Sequence, residues 1–228
     1  YRVEAQPITP TFDLTAAVDT VNVGAGSTAM VTVNVVRRGY NGPIQVAATN
    51  LPAGVVSNPT IAGPGIKSVV LTISSGAETA AGTFVPVHIV GRGKNGAEEF
   101  EVTARTEDAM KAKFNALPWG PQNLDGQVAV GVAPKPQIRL RPETVEVVFG
   151  KSLSATVKVL VDRDKGFDEA VTLAITPDAK KGGLPGNVTA AVKPIAKGQK
   201  EAVITFTATD KAPLGDFTAV MTGTIKQG

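Results

Sequence analysis

Apolar and polar residues alternate along much of the chain, in short runs rather than at helical spacing. Val31, Val33 and Val35, for example, alternate with Thr32 and Asn34. A period of two is typical of half-buried strands, because successive side chains point to opposite faces of a sheet. Clusters of Gly, Pro and Asn separate these runs roughly every 8–12 residues, which is the spacing of a β-sandwich. The chain is therefore predicted to be all-β.

The predicted strands form two series. The first comprises residues 12–17, 18–23, 27–37, 44–49, 55–60, 68–74, 84–92 and 97–106. The second comprises residues 138–140, 144–148, 152–162, 170–175, 188–192, 200–207 and 217–226. Each series covers about 90 residues, which is close to the length of one β-sandwich domain.

The two series repeat each other in sequence. The Thr-Val-Asn-Val of residues 20–23 returns at 144–147 as Thr-Val-Glu-Val, 124 positions later. Downstream the offset becomes 133, as three pairs of segments show: 51–55 with 184–188, 67–73 with 200–206, and 82–84 with 215–217. Since the offset changes only where loops are predicted, the chain contains two copies of one domain.

The repeat sets the predicted domain boundaries: an N-terminal extension (1–11), a first domain (12–106), an ordered connector (107–137) and a second domain (138–228). The second copy has no counterpart of strand 97–106. We expect either that the segment was cut short of the natural end or that the missing last strand leaves one sheet edge open. Open edges can pair with another strand. One alternative is therefore self-assembly through this edge, with residues 1–5 of a neighbouring chain as the donor strand.

The connector is the segment whose structure the pattern leaves open. Thr106 and the acidic residues after it suit the start of a short helix, whereas apolar alternation at 110–116 favours a strand. Residues 127–132 predict a further strand. Trp119 is expected to pack in a seam between the two domains, with a ligand platform as the alternative.

The repeated unit resembles a known family. It combines a Gly-aromatic turn, a Leu-Pro segment and a Gly-x-Phe segment, at 39–40, 51–55 and 82–84 in the first copy and at 166–167, 184–188 and 215–217 in the second. This pattern is similar to the bacterial immunoglobulin-like repeats of the NEW3-like type, found in large secreted or surface proteins of planctomycetes and related bacteria. The resemblance implies two tandem immunoglobulin-like antiparallel β-sandwiches, export from the cytoplasm and a longer parent chain. It supplies no catalytic motif.

Composition excludes several kinds of chemistry. The chain has one His and no Cys, which leaves no thiol nucleophile, no disulfide, no Cys-bound zinc and no multi-His metal site. His88 lies within a predicted strand, and the sequence has no Gly-x-Ser-x-Gly elbow that could place a nucleophile beside it. We therefore expect a protein that is not an enzyme, with no catalytic residue and no bound cofactor.

One glycine motif has the spacing of a nucleotide-binding loop. Gly91, Gly93 and Gly96 satisfy G-x-G-x-x-G, but that fingerprint requires a following helix, and a strand is predicted here. Asn95-Gly96 is instead typical of a tight hairpin, because both residues tolerate positive φ. We predict a hairpin at this position.

A second motif gathers carboxylates around a turn. Asp162, Asp164 and Asp168 flank Gly166 in a spacing similar to that of calcium loops, which use hard oxygen ligands. The neighbouring Arg163 and Lys165 add competing positive charge. We predict a solvated hairpin with no metal, and keep a weak calcium site at the three aspartates as the alternative.

Charge and hydropathy narrow the possible partners. The net charge is +3, without the clustered cations and stacking aromatics of a nucleic-acid surface. No apolar stretch approaches the ~20 residues of a membrane span. The chain begins with Tyr1 rather than Met, so we expect a piece of a longer protein, with neighbouring domains as its partners.

The sequence thus favours a non-catalytic structural, spacer or adhesion module of a secreted or cell-surface bacterial protein, located outside the cytoplasm. The alternatives are an accessory carbohydrate- or protein-binding module attached to a secreted hydrolase, and a subunit of a fibre linked by donor strands. Polysaccharide binding would need exposed aromatic rings, for which Tyr40, Trp119 and Phe167 are the candidates.

Overall fold

The computed structural model describes residues 9–116, 118, 120–176, 184–215 and 217–225. The chain divides into two compact units, domain 1 (residues 1–134) and domain 2 (residues 135–228). The fold is all-β, as predicted, with one short α-helix among the described residues.

Domain 1 is a sandwich of two sheets. Its strands are β1 (Thr11–Ala16), β2 (Thr20–Gly24), β3 (Thr28–Arg38), β4 (Ile44–Thr49), β5 (Val55–Asn58), β6 (Thr60–Ala62), β7 (Ser68–Ser75), β8 (Phe84–Asn95), β9 (Glu98–Thr103) and β10 (Val128–Ala133). One sheet has the order β1-β3-β7-β5, and the other has the order β2-β10-β8-β4-β6, with β9 also paired to β8. The predicted strand 55–60 is therefore two strands, β5 and β6, which belong to opposite sheets.

The core of domain 1 follows from the alternation of its strands. Along β1, every second residue is buried. Its largest fully buried side chains come from both sheets: Phe12, Leu14, Ile44, Leu71, Ile73 and Ile89. They belong to one continuous apolar cluster, which the two sheets enclose.

Aromatic rings fill part of this core, and glycines on β8 make room for them. The ring centroids of Phe12, Tyr40 and Phe100 lie 5.2 to 5.7 Å apart. A Cβ on Gly91 would lie 2.9 Å from Phe12 Cε2, and one on Gly93 would lie 2.8 Å from Phe100 Cζ. Two glycines of the G-x-G-x-x-G motif are thus required by close packing rather than by a phosphate group.

The third glycine of the motif lies in a hairpin turn, as predicted, although the turn residues differ. β8 and β9 remain paired as far as Asn95 and Glu98, so Gly96 and Ala97 are the central residues, rather than Asn95 and Gly96. Gly96 has a φ of +63°, which suits the first central position of a type II′ turn.

β9 and β10 are two halves of one strand along the same edge of β8. β9 pairs with the C-terminal half of β8, and just after β9 the N–H of Ala104 donates to the carbonyl of Ile89 at 2.8 Å. β10 pairs with the N-terminal half, where Val128 lies opposite Val87. Both halves run antiparallel to β8. Residues 105–127 are therefore an insertion into a single strand.

The segment predicted as a connector lies largely within domain 1. It forms helix α1 (Glu107–Lys113), a 3₁₀ turn at Gln122–Leu124 and β10, and the two units divide after Pro134. The strand that alternation at 110–116 favoured was therefore a wrong prediction. Only Ala109 and Met110 of α1 are buried, so the alternating apolar residues do not form one buried face. The strand predicted at 127–132 is confirmed as β10.

Domain 2 repeats the first sheet of domain 1 and part of the second. Its strands are β11 (Ile138–Pro142), β12 (Ser154–Arg163), β13 (Val171–Thr176), β14 (Val188–Val192), β15 (Glu201–Ala208) and β16 (Val220–Ile225). One sheet has the order β11-β12-β15-β14, and β13 pairs with β16 in the other. The first of these sheets corresponds, strand by strand, to β1-β3-β7-β5 of domain 1. β13 corresponds to β4, and β16 corresponds to β8.

Strand register corrects the alignment of the two copies. Thr28 pairs with Ser74, and Ser154 pairs with Thr207. Both pairs are joined between their hydroxyl oxygens, at 2.7 and 2.8 Å. The offset in β3 and β12 is therefore 126 rather than the 124 taken from the sequence. A shift of two residues keeps every side chain on the same face of a strand, so the alternation could not reveal it.

β8 and β16 are equivalent by the same criterion. Gly91 lies opposite Val46 on β4, and Gly223 lies opposite Leu173 on β13. A Cβ on either glycine would overlap with a leucine side chain from the first strand of the same domain. The offset here is 132.

Two strands predicted in domain 2 differ from the structure. Residues 144–148 form no strand, and residues 217–219 of the strand predicted at 217–226 lie outside β16 (Val220–Ile225). In domain 1, the sheet partner of β2 is β10, and residues 84–87 of β8 also pair with β10. No described residue of domain 2 takes the place of β10, so its counterparts of both segments have no strand beside them.

Replacing Gly91 with Ala tests the close packing on β8. The added Cβ must displace the rings and leucine beside it, so Gly91→Ala should lower the free energy of unfolding of domain 1 by about 1–3 kcal/mol. Gly63→Ala is the matched control, since a Cβ there has open space, and it should change stability by less than about 0.5 kcal/mol. Urea unfolding followed on domain 1 amide signals measures both. Equal effects of the two substitutions would contradict this packing.

Candidate functional site

Asp125 holds the inserted segment of domain 1 in place. Its Oδ1 accepts hydrogen bonds from the N–H groups of Thr106 (2.8 Å) and Glu107 (3.1 Å), and its Oδ2 accepts one from Arg105 Nε (3.0 Å). The Thr106 hydroxyl, which is fully buried, accepts a bond from the N–H of Gly126 at 3.1 Å. Since the first N–H groups of a helix lack partners within it, Asp125 provides the cap that Thr106 was expected to provide for α1.

The charges around α1 favour the ionised form of its carboxylates. Burial raises the pKa of Asp125, but hydrogen bonds from the Thr106 backbone and the Arg105 side chain outweigh this and hold the pKa below its usual value. A hydrogen bond from Lys111 likewise lowers the pKa of Glu107. A lowered carboxyl pKa marks a charge that stabilises the folded state at neutral pH. These groups therefore hold the insertion.

His88 connects β8 with the end of the same insertion. Its Nδ1 donates to the carbonyl of Gly126 at 2.9 Å, and its own carbonyl accepts a bond from Thr49 Oγ1 at 3.3 Å. The side chain is therefore engaged with backbone where the split strand resumes as β10. The described hydrogen bond of the imidazole is thus made to a carbonyl oxygen, which is not a nucleophile of the kind a histidine activates.

The predicted calcium residues lie beside positive charges. Asp162 lies 3.3 Å from Arg141 Nε, and Asp164 lies 3.2 Å from Lys135 Nζ. The backbone carbonyl of Asp168 accepts a bond from a loop N–H at 3.1 Å. Over the described ranges, no group of three or more His, Asp or Glu is placed to hold a metal ion. Calcium binding stays an untested alternative, with two of its three carboxylates ion-paired.

Two of the three predicted platform residues, Tyr40 and Phe167, are described by the structure. Tyr40 is only 5% exposed; its hydroxyl donates to the carbonyl of Pro43 at 2.9 Å and accepts the N–H of Lys94 at 3.0 Å. Phe167 is half-buried in the other domain. Trp119 and the donor segment 1–5 lie outside the described residues. Tyr40 is therefore corrected from a ligand candidate to a core residue, a role that the Gly-aromatic turn did not reveal.

A shallow groove lies along β4, β6, β8 and β9. It has a volume of about 440 Å³, within the range of small-molecule sites of ~300–1,000 Å³. Phe100 and Ile61 line it, and Ile61 is 66% exposed. Arg92 and Glu101 form an ion pair along it at 2.8 Å. An apolar floor beside charged groups can hold a polar ligand, so this groove is the candidate binding surface of domain 1.

Sequence reasoning missed an arginine that both domains use in the same way. The guanidinium of Arg37 donates to the carbonyls of Gly42 (2.7 Å) and Gly63 (2.6 Å), and burial lowers its pKa. Arg163 donates to the carbonyl of Gln199 at 3.2 Å. Arg37 lies near the end of β3 and Arg163 lies at the end of β12. Each donates hydrogen bonds to the backbone of a loop that is distant in sequence. The two arginines are equivalent only when the two copies are aligned at the offset of 126 residues.

The comparisons with known proteins give no family. No protein-family model matches the chain, and no curated protein matches it. Among solved structures, the chain is similar to the crystal structure of the S-layer protein SbsC domains 4 and 5, with a TM-score of 0.30 and 16% sequence identity. The match covers 55% of this chain and 47% of that chain, so this chain spans about half the length of that structure.

In the part of the chain that the structure describes, no helix has both the length and the apolar character needed to cross a bilayer.

Replacing Asp125 with Asn tests the account of the inserted segment. The amide would keep an acceptor for the helix but lose the charge beside Arg105, so Asp125→Asn should cost about 1 kcal/mol at pH 7, after screening by solvent. The stabilising charge is present above the ordinary carboxyl pKa and is lost as pH falls through the lowered pKa. The difference from the native chain should therefore shrink only in that acidic window. Thermal unfolding measured across pH tests this.

The control for that experiment is Glu78→Gln, which removes a carboxylate from an exposed turn of the same domain. It should leave stability nearly unchanged at every pH. A deficit in Asp125→Asn that stays constant down to strongly acidic pH would contradict a role for the ionised carboxylate.

Proposed function

We propose that the chain is a non-catalytic structural module of a secreted or cell-surface bacterial protein, in which it acts as a spacer or an adhesion element. Its two domains would hold neighbouring parts of a longer protein at a distance. The resemblance of the repeats to NEW3-like domains supports a location outside the cytoplasm.

The observation that carries this proposal is that the side chains that could react or bind make contacts that stabilise the fold. Asp125 caps a helix, His88 contacts backbone, and Tyr40 packs in the core. The titratable groups with lowered pKa values around α1 are held by hydrogen bonds and ion pairs within domain 1. Such pKa shifts occur in structural ion-pair networks as well as at reactive sites, and the hydrogen bonds of Asp125 to Thr106 and Arg105 have the structural character.

The second candidate function is an accessory module that binds a polysaccharide or a protein. The groove along β8 and β9 favours it, because the exposed Ile61 and the half-buried Phe100 offer apolar contact beside ion-paired charges. An alternating arrangement of apolar and charged groups suits a polar ligand with one apolar face. In this case the chain would bring an attached enzyme to its substrate.

A binding experiment decides between the two functions. The native chain is applied to an array of bacterial cell-surface and plant polysaccharides, together with Ile61→Ala in the groove and Ile66→Ala as the matched control outside it. A spacer should show no saturable binding in any form. Binding that Ile61→Ala weakens about tenfold or more, while Ile66→Ala does not, would overturn the spacer function and support the accessory module.

A further inference from the structure

Domain 1 shows which strand completes the second sheet of this fold. β10 lies between β2 and β8, and β9 continues the same line along β8. The inward side chains of β10 are Val128, Val130 and Val132, and each is at most 4% exposed. The split strand therefore supplies both hydrogen bonds and core to domain 1.

Domain 2 lacks this strand among its described residues, and the loss affects two segments. Residues 217–219 precede β16 outside any strand, whereas their counterparts 85–87 lie within β8. Residues 146–150, which correspond to β2 at the offset of 126, are also not in a strand. Both segments border the position that β10 fills in domain 1.

The core of domain 2 is less completely covered at the same place. Phe149 and Ala219 are only partly buried beside the cluster around Leu184 and Val188. Their counterparts in domain 1, Val23 and Val87, are fully buried in the cluster that contains the β10 valines. An apolar strand would thus cover Phe149 and Ala219 as β10 covers Val23 and Val87 in domain 1.

The hydrogen-bonding groups on the open edge can be assigned by equivalence. In domain 1 the carbonyl of Ile89 accepts a bond from Ala104, on the side of the split strand. Alternate residues of a strand present their N–H and C=O groups to opposite sides. Met221 and Gly223, which correspond to Ile89 and Gly91, therefore direct these groups to the open edge of β16.

We propose that the open edge of β16 is an acceptor for a β-strand that a second polypeptide chain supplies. The occupant is an extended peptide with small apolar or β-branched side chains at every second position. It runs antiparallel to β16 and places its inward side chains beside Phe149 and Ala219. Strand addition of this kind gains affinity from main-chain hydrogen bonds and specificity from alternate side chains. The proposal does not depend on the spacer function.

The chain itself provides the probe. A peptide that joins residues 99–104 to residues 127–133 has the sequence EFEVTAQVAVGVA, which is the split strand of domain 1 without its insertion. A short lysine tail keeps it soluble. The acceptor is the full 228-residue chain, labelled with ¹⁵N and kept at a concentration where light scattering shows only monomer.

Amide hydrogen exchange is the measurement. In the chain alone, the amides of Met221 and Gly223 should exchange quickly, whereas those of Val87 and Gly91, which pair with the split strand of domain 1, should be protected. The peptide should slow exchange at Met221 and Gly223 by about tenfold or more and leave Val87 and Gly91 unchanged. A control peptide with lysine in place of the valines from positions 102 and 130 should have no effect, because these side chains point inward.

Three results would overturn the proposal. One is full protection of Met221 and Gly223 in the monomer without peptide, since the edge would then already be closed. Another is unchanged exchange at these two amides with millimolar peptide present. The third is equal slowing by the control peptide, which would show binding without strand insertion.

Discussion

Domain 1 depends on the pairing of β8 with the strand that β9 and β10 form together. Because β10 lies between β2 and β8, β2 belongs to the sheet only through it, and the N-terminal half of β8 has β10 as its strand partner. The valines of β10 also fill the core below. The interruption of this strand by residues 105–127 imposes a further requirement: the chain must return to the same edge in register. Asp125, Thr106 and His88 meet that requirement with hydrogen bonds at the two ends of the insertion.

The two domains share one scaffold and differ mainly at this edge. Arg37 and Arg163 fasten equivalent loops, and Gly91 and Gly223 leave space for a leucine in each domain. The first sheet is the same in both. What differs among the described residues of domain 2 follows from one strand position. Residues 217–219 and the segment before Gly150 have no strand pairing, and Phe149 and Ala219 are only partly buried.

The sequence alone was sufficient for the fold class, the repeat and the hairpin, because alternation and turn residues are local signals. It could not give the register, since a two-residue shift preserves the alternation that revealed the copies. It could not show that 97–106 and 127–132 are one strand, because their common partner β8 is set by long-range pairing. The site residues were predictable only in part. His88 lies in the strand where alternation placed it, whereas the burial of Tyr40 and the contacts of Arg37 depend on loops distant in sequence.

The most direct measurement of the central claim removes the insertion. Deleting residues 105–126 joins Ala104 to Gln127, which leaves one residue between the positions opposite Ile89 and Val87. If β9 and β10 are halves of one strand, the shortened chain keeps domain 1 folded, and the amides of Gly91 and Val87, which pair with β9 and β10, stay protected from hydrogen exchange. Loss of that protection, with loss of the dispersed amide signals of β2 and β8, would contradict the account.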